Sequence, residues 1–315
     1  MDQMARAADR VRGGFAHEVV FYDGVADRPR ALLPFIREGI ELGEPVLVAL
    51  PPAAIHALER ELGDDARHVR FLDMVAVGSN PACIIPVWRE FVADHAGAGP
   101  VRGIGEPAWA GRREEEMVEA QLHEALLNVV FDQGPTWRLL CPYDVSRLPA
   151  WVIEEARRTH PVVGDHGHRS VRYAGHGHAV EAFGTRLPRP PRGAVRYPFA
   201  IGDLGALREQ VADASRAAGL SEGSAEDLVL AAHELATNSI LHADGHGLLQ
   251  IWREPGALVV EVDDVGHIDD PLVGRALPDR EAMNGRGIWM VNQLCDLVQV
   301  RSGDQGTQVR LYAWL

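Results

Sequence analysis

The chain has 315 residues, 46 % hydrophobic and 24 % charged, the balance of an ordinary globular protein with length for two domains and two cores. A net charge of −14 argues against nonspecific nucleic-acid binding, which needs basic surface. No apolar run approaches the roughly 20 residues of a membrane span, and the N-terminus MDQMARAADRVRGG lacks the apolar core of a secretory signal, so the expectation is a cytoplasmic protein with neither membrane nor nucleic acid as partner.

Residues 17–163 alternate strand and helix patterns. HEVVFYD at 17–23 is a strand-type run. Residues 29–42 carry apolar positions at helical spacing and stop at Gly43. PVLVAL at 45–50 reads as a buried strand, 52–62 as a helix ended by Gly63, and 69–72 as a strand. A helix near 84–95, a strand near 100–105, a long helix near 112–131, a strand at 137–141 and a helix near 148–159 follow. Strands separated by crossover helices predict an α/β domain with a mostly parallel sheet. Cys83, Cys141 and Cys295 are far apart in apolar stretches and read as buried reduced thiols.

Residues 164–193 are rich in Gly, Pro, His and Arg, hold no apolar period and read as an interdomain linker. His166, His168, His176 and His178 form two HGH pairs, a set able to bind a transition metal. No cysteine or carboxylate pattern accompanies them, so a solvated linker is the expectation.

Residues 194–315 form the second domain. Residues 194–200 predict an edge strand, since Pro198 is tolerated only there. A helix follows from Asp203 as cap to Gly219 as stop, and a second starts at Ser224 with Asp227 completing a capping box. Strands at 248–253 and 257–263, a short helix at 288–296, and a hairpin of 297–301 with 307–315 complete an α/β two-layer sandwich.

Three pieces of this domain carry chemistry. Glu234 and Asn238, four apart on one helix, share a face; a carboxylate beside a metal-binding amide suits phosphoryl transfer. Asp264 and Gly266 form a D-x-G at a strand end, an acceptor for an exocyclic amine beside a position where backbone can approach a flat ring. Gly285, Arg286 and Gly287 open a helix, where free N–H groups and the dipole favour phosphate. In isolation, each pattern also fits an ordinary helix face, turn or loop.

Their order, followed by a Gly306-Thr307 strand, resembles the GHKL (Bergerat) ATPase domain. The likeness is strongest to its anti-sigma-factor serine kinase branch, in Glu234-Leu-Ala-Thr-Asn-Ser-Ile-Leu-His-Ala243. The resemblance covers about residues 194–315. It implies ATP and Mg2+ as cofactors, with Glu234 as general base or water-positioning group and Asn238 as Mg2+ ligand. It also implies a nucleotide site of Asn238, His242, Asp264, Gly266, Gly285, Arg286, Gly287 and Thr307, with residues 269–284 as lid. The family's D-x-G-x-G stands here as Asp264-Val-Gly-His-Ile268, without its second glycine, which implies a stiffer lid hinge.

His233-Glu-x-x-Thr237 lacks the second histidine of a zinc H-E-x-x-H motif. No separate histidine-bearing dimerisation helix of the sensor-kinase type precedes the domain. The N-terminal domain has no phosphate loop, since Pro51-Pro-Ala-Ala follows the strand at 45–50.

HEVVFY from His17, Glu38-Gly-Ile-Glu-Leu-Gly-Glu44, Leu140-Cys-Pro-Tyr-Asp144 and Thr159-His-Pro161 resemble a MEDS-type sensory domain over about residues 15–163. That family is similar to a P-loop ATPase without its phosphate loop. His17, Tyr22, Glu106, Glu124, Asn128 and Tyr143 are the candidate ligand residues, expected near the crevice at the carboxyl ends of the strands, with capping and helix-surface roles as the alternative. The two resemblances together imply an anti-sigma-type regulator whose partners are a sigma factor and an anti-anti-sigma (STAS-type) protein carrying the target serine, with a homodimer as a possible assembly. A nucleotide-binding interaction module without kinase activity and a sensor histidine kinase stay open as alternatives.

Overall fold

A computed structural model describes residues 14–97, 99–164, 168–276 and 286–315. The chain divides into two compact units after Ala179.

The first unit runs β1 (Phe15–Tyr22), α1 (Arg28–Leu42), β2 (Val46–Leu50), α2 (Pro52–Leu62), β3 (Val69–Asp73), α3 (Met74–Val77), α4 (Ile84–Asp94), β4 (Val101–Gly105), α5 (Glu114–Val130), β5 (Trp137–Asp144) and α6 (Ala150–Thr159). A short pair, β6 (Val162–Val163) and β7 (His168–Arg169), follows. The sheet order is β3-β2-β4-β5-β1-β6-β7, parallel except for β7. Apolar residues on both faces of β2 explain its unbroken burial, while β4 also buries Arg102, which pairs with Glu38 and Glu44. Leu32, Ile36 and Leu58 of α1 and α2 close over Val20, Val48 and Leu140 on one face. α5 covers the other face above β1 and β5.

The second unit is an antiparallel sheet of order β11-β12-β10-β9-β8, built from β8 (Val195–Ala200), β9 (His246–Glu254), β10 (Ala257–Asp264), β11 (Leu297–Gly303) and β12 (Gly306–Trp314). Its helices are α7 (Gly177–Gly184), which spans the boundary between the units, α8 (Leu204–Ala218), α9 (Glu222–His242) and α10 (Arg286–Leu294). Leu207 and Val211 of α8, Leu228 and Leu235 of α9 and Val291 of α10 pack on Leu249, Val260, Val309 and Leu311 of the sheet. β8 is the edge strand that Pro198 requires.

Three local expectations need correction. The stretch read as a linker carries β7 and α7, and its later part lies on the sheet of the second unit. Phe183 joins that unit's core, the Leu187 N–H donates to Gln308 Oε1 at 3.1 Å, and Arg310 Nη2 donates to Pro188 O at 2.6 Å. The second helix starts two residues early, because Ser221 Oγ, and not Ser224, receives the free N–H of the first turn. Asp203 does not cap α8 with its side chain; Oδ2 accepts the Ala200 N–H at 2.9 Å instead.

Gly306 begins β12 with φ +100°, and a Cβ placed on it would lie 2.0 Å from the Asp264 carbonyl oxygen. Only glycine fits both the backbone and the space. Gly306→Ala is expected to destabilise the second unit by about 2–4 kcal/mol, read as a lower midpoint in its urea unfolding transition.

Candidate functional site

On α9, burial of Leu228, Ala231, Leu235 and Ser239 against the sheet leaves Glu234 and Asn238 half-buried at the core edge, one helical turn apart. α10 meets this face at Gly287. A Cβ there would stand 2.6 Å from Glu234 Oε1 and 2.9 Å from Asn238 Nδ2. The missing side chain therefore lets the start of one helix touch the polar pair of the other.

Asp264 ends β10. Its Oδ2 accepts from Ser239 Oγ, and its Oδ1 accepts the Gly266 N–H at 2.8 Å. Each carboxylate oxygen retains acceptor capacity. A Cβ on Gly266 would meet Ala243 Cβ at 2.9 Å, so this glycine is also a matter of space. Thr307 Oγ1 donates to Gly266 O at 2.9 Å. Ser302 Oγ accepts the Ile268 N–H at 2.8 Å and lies 2.8 Å from Thr307 Oγ1, to which it has its proton to give. This relay ties the β11–β12 hairpin to the loop after β10.

Asn238, His242, Asp264, Gly266, Gly287 and Thr307 border one cavity of about 450 Å³, with Leu235, Val262, Ile288 and Val309 as apolar lining. Its size and mixed wall are those of small-molecule pockets. Glu234 stands beside Gly287 at the margin of this cavity, and Arg286 is exposed at the first position of α10. Gly285 and residues 277–284 of the expected lid lie outside the described residues. Ile268, where the family pattern has a glycine, borders the cavity with an ordinary backbone; Asp244 is the only non-glycine with positive φ among the described residues. In the H-E-x-x-T motif, Thr237 Oγ1 donates to His233 O at 2.8 Å, an ordinary helix contact.

In the first unit the six candidates separate into two groups. Tyr22 ends β1 and Glu106 follows β4, at the carboxyl ends of their strands. Tyr22 Oη donates to Glu106 Oε1 at 2.7 Å, and Arg28, at the start of α1, donates to Tyr22 Oη at 2.9 Å and to Glu106 Oε1 at 3.2 Å. Burial pushes the Glu106 carboxyl up to about 7, although Arg28 works in the opposite direction. The folded chain thus holds a proton here that the unfolded chain releases near 4.5. The stabilising contribution is complete below that value and disappears as pH rises through 7. Between pH 4.5 and 7.5, the wild type is expected to lose about 3 kcal/mol relative to Glu106→Gln, measured by urea unfolding of both at each pH.

His17, Glu124, Asn128 and Tyr143 do not sit in the strand-end crevice. His17 is the third residue of β1, in register with Leu139 of β5, and its ring lies between the sheet and α5. The reason is the period of the strand: residue 17 faces the helix layer, where Glu124 and Asn128 on one side of α5 meet it. His17 Nε2 is 2.9 Å from Glu124 Oε2, His17 Nδ1 is 3.2 Å from Asn128 Oδ1, and Tyr143 Oη donates to Glu124 Oε1 at 3.4 Å. Cys141 and His160 belong to the same cluster and were absent from the candidates. Cys141 Sγ is 3.5 Å from both His17 Nε2 and Glu124 Oε2, and His160 Nε2 is 3.4 Å from Glu124 Oε2. Burial, with His160 alongside, brings the His17 imidazole down to about 4. Burial by itself would raise the Glu124 carboxyl, but His160 and His17 hold it well below the usual carboxylate range.

The described histidines of residues 164–193 each have their own surroundings. His166 lies outside the described residues, His168 is exposed on β7, His176 faces Asp132 at 3.5 Å, and His178 is buried against Glu155 rather than solvated. Cys141 and Cys295 are buried thiols, Cys83 is half-buried, and none of the three is in a disulfide.

The chain thus has a parallel α/β unit with a buried polar cluster and a second unit with an antiparallel sheet under helices and a cavity at the mouth of α10. Residues 16–161 match the model for MEDS, the MEthanogen/methylotroph, DcmR Sensory domain. Residues 197–313 match the model for the histidine kinase-like ATPase domain. The chain carries a MEDS domain followed by a domain of the histidine kinase-like ATPase family. Among solved structures, it is similar to the RsbU and RsbW domains of Rv1364c from Mycobacterium tuberculosis, with 18 % identity and a TM-score of 0.31, over 40 % of this chain and 34 % of that one. The chain thus spans about a third of the length of that protein. No curated protein matches it. No helix among the described residues is long and apolar enough to cross a membrane.

Proposed function

We propose that the second domain binds ATP with Mg2+ and that the chain is an anti-sigma-type regulator. It holds a sigma factor, or phosphorylates a serine of an anti-anti-sigma (STAS-type) partner, under the influence of the MEDS domain. The observation that carries the nucleotide reading is the convergence of Asn238, Asp264, Gly266, Gly287 and Thr307 on one cavity. The two glycines whose Cβ atoms would collide with neighbours leave the cradle that a nucleotide needs. The anti-sigma reading rests on the E-L-x-T-N-x-x-x-H-A pattern of α9.

Asp264, with acceptor capacity beyond its bonds to Ser239 and Gly266, receives the adenine amine. Gly266 lies beneath the ring, held by Thr307. His242 borders the same cavity, and Asn238 supplies an oxygen for Mg2+. Arg286 and Gly287 bring the N-terminus of α10 to the phosphates. Mg2+ neutralises charge on the nucleotide phosphates when bound. Glu234 takes the proton of the attacking serine hydroxyl as the serine oxygen bonds to the γ-phosphorus and ADP leaves.

Incubation with labelled ATP, Mg2+ and candidate STAS-type domains tests this reading. Label on a partner serine supports it. ATP binding without transfer favours an interaction module, which the exchange of glycine for Ile268 keeps in view, and label on a histidine of this chain favours a sensor kinase. Failure to bind adenine nucleotide at millimolar concentration removes the proposal.

A further inference from the structure

We propose that the MEDS domain holds a transition-metal ion, Zn2+ or a divalent ion of similar softness, in a closed site made by His17, Glu124, Cys141 and His160. Among the described residues, these four form the one group of histidine, cysteine and acidic side chains whose donor atoms come together, all within 4.8 Å of one another. They arrive from β1, α5, β5 and the position after α6, so the fold assembles them rather than any local motif. All four are at most 1 % exposed. A tetrahedral ion with bonds of roughly 2.0–2.3 Å sets its ligand atoms about 3.3–3.7 Å apart. Four of the six separations are 2.9 Å for His17 to Glu124, 3.4 Å for His160 to Glu124, and 3.5 Å from Cys141 to each of His17 and Glu124, and the other two lie within 4.8 Å.

The hydrogen bonds around the cluster give the second argument. Asn128 Nδ2 donates to Thr159 O at 2.8 Å and to Glu124 O at 3.2 Å, which fixes its Oδ1 toward His17. His17 Nδ1 therefore carries a hydrogen and donates it to Asn128. His160 Nδ1 likewise donates to Ala156 O at 2.7 Å. A neutral ring with its hydrogen on Nδ1 presents a lone pair at Nε2. Both Nε2 atoms face the same carboxylate oxygen of Glu124, and His160 Nε2 has no hydrogen-bond partner. Any Nε2 without a hydrogen aims a lone pair at that buried carboxylate, a repulsion that either a proton or a metal cation between them removes. Imidazoles that ligate a metal through one nitrogen commonly donate from the other to an amide or carbonyl oxygen, as both rings do here. Two imidazoles, one thiolate and one carboxylate suit Zn2+, and bound metal keeps the thiol deprotonated. With four protein ligands and full burial, the site is closed: it clamps β1, β5, α5 and the end of α6 and leaves no coordination position for a reacting water.

The test uses the full-length protein, stripped with a chelator and titrated with Zn2+ alone. Elemental analysis after gel filtration should find one zinc per chain, and reloading should raise the unfolding temperature of the MEDS transition by several degrees. The X-ray absorption spectrum of the zinc-loaded wild type should show one sulfur at about 2.3 Å with nitrogen and oxygen at about 2.0–2.2 Å. Co2+ in place of Zn2+ should give tetrahedral visible bands with a thiolate-to-cobalt charge-transfer band. Cys141→Ser should abolish that band, and Cys141→Ser and His160→Gln should each weaken Zn2+ binding about a hundredfold or more. The wild-type absorption spectrum decides the matter even if neither variant folds. A zinc content below half an ion per chain, a zinc shell without sulfur, or an unchanged cobalt spectrum in Cys141→Ser overturns the proposal, leaving a proton-bridged network or a metal held elsewhere.

Discussion

Asp264→Asn is expected to lower ATP affinity about ten- to a hundredfold and to narrow the preference for ATP over GTP. Asp264 can change without dismantling its surroundings. An asparagine keeps an oxygen for the Gly266 N–H, now 2.8 Å away. Its amide then faces Ser239 Oγ, and that hydroxyl can turn its proton to Leu235 O, 3.2 Å away, and accept instead. What the exchange removes is acceptor character toward the cavity. An adenine amine then meets amide hydrogens, two donors facing each other in a half-buried site, and such mismatches cost more than a simple missing contact. The 6-oxo group of guanine, an acceptor, suits the amide better, so the loss for GTP should be smaller. Isothermal titration of both nucleotides measures the ratio. ATP affinity within threefold of wild type would mean that Asp264 does not read the base.

The cavity at the mouth of α10 was largely legible because each of its parts sits on one local element whose pattern announces it. Glu234 and Asn238 share a helix face by spacing, Asp264 ends a strand, and Gly287 opens a helix. Their order along the chain was enough to expect a common cavity. What the sequence did not show was why glycine stands at 266, 287 and 306, since the neighbours that exclude a side chain are far away along the chain. The MEDS cluster was half legible for the same reason. Glu124 and Asn128 form a local pair, but His17 and Cys141 are 124 residues apart and meet only through the β1–β5 register. The motifs around Cys141 and His160 were visible, and nothing local said that both point at Glu124. The expectation of a linker at 164–193 failed on Phe183 and Leu187. Leu187 is an isolated apolar residue among arginine and proline, and Phe183 ends a run of six residues between glycines that is too short to show a period, so what each packs against is decided by the fold.

Glu234→Gln is expected to slow transfer to a partner serine by about a hundred- to ten-thousandfold, with ATP affinity changed less than threefold. The exchange conserves shape where shape matters most: Glu234 Oε1 occupies the space that a side chain on Gly287 would need. A glutamine fills it equally, so α10 keeps its place against α9 and the phosphate cradle is undisturbed. The amide, however, cannot accept the hydroxyl proton. The size of the loss reports how far that proton has moved in a loose phosphoryl-transfer transition state. Asn238→Ala provides the contrast, since losing an Mg2+ ligand should weaken nucleotide binding and transfer together. Single-turnover transfer rates alongside equilibrium ATP binding separate the two effects. If Glu234→Gln transfers at the wild-type rate, the carboxylate is not the proton acceptor; if it loses ATP binding as Asn238→Ala does, Glu234 belongs to the nucleotide and metal site instead.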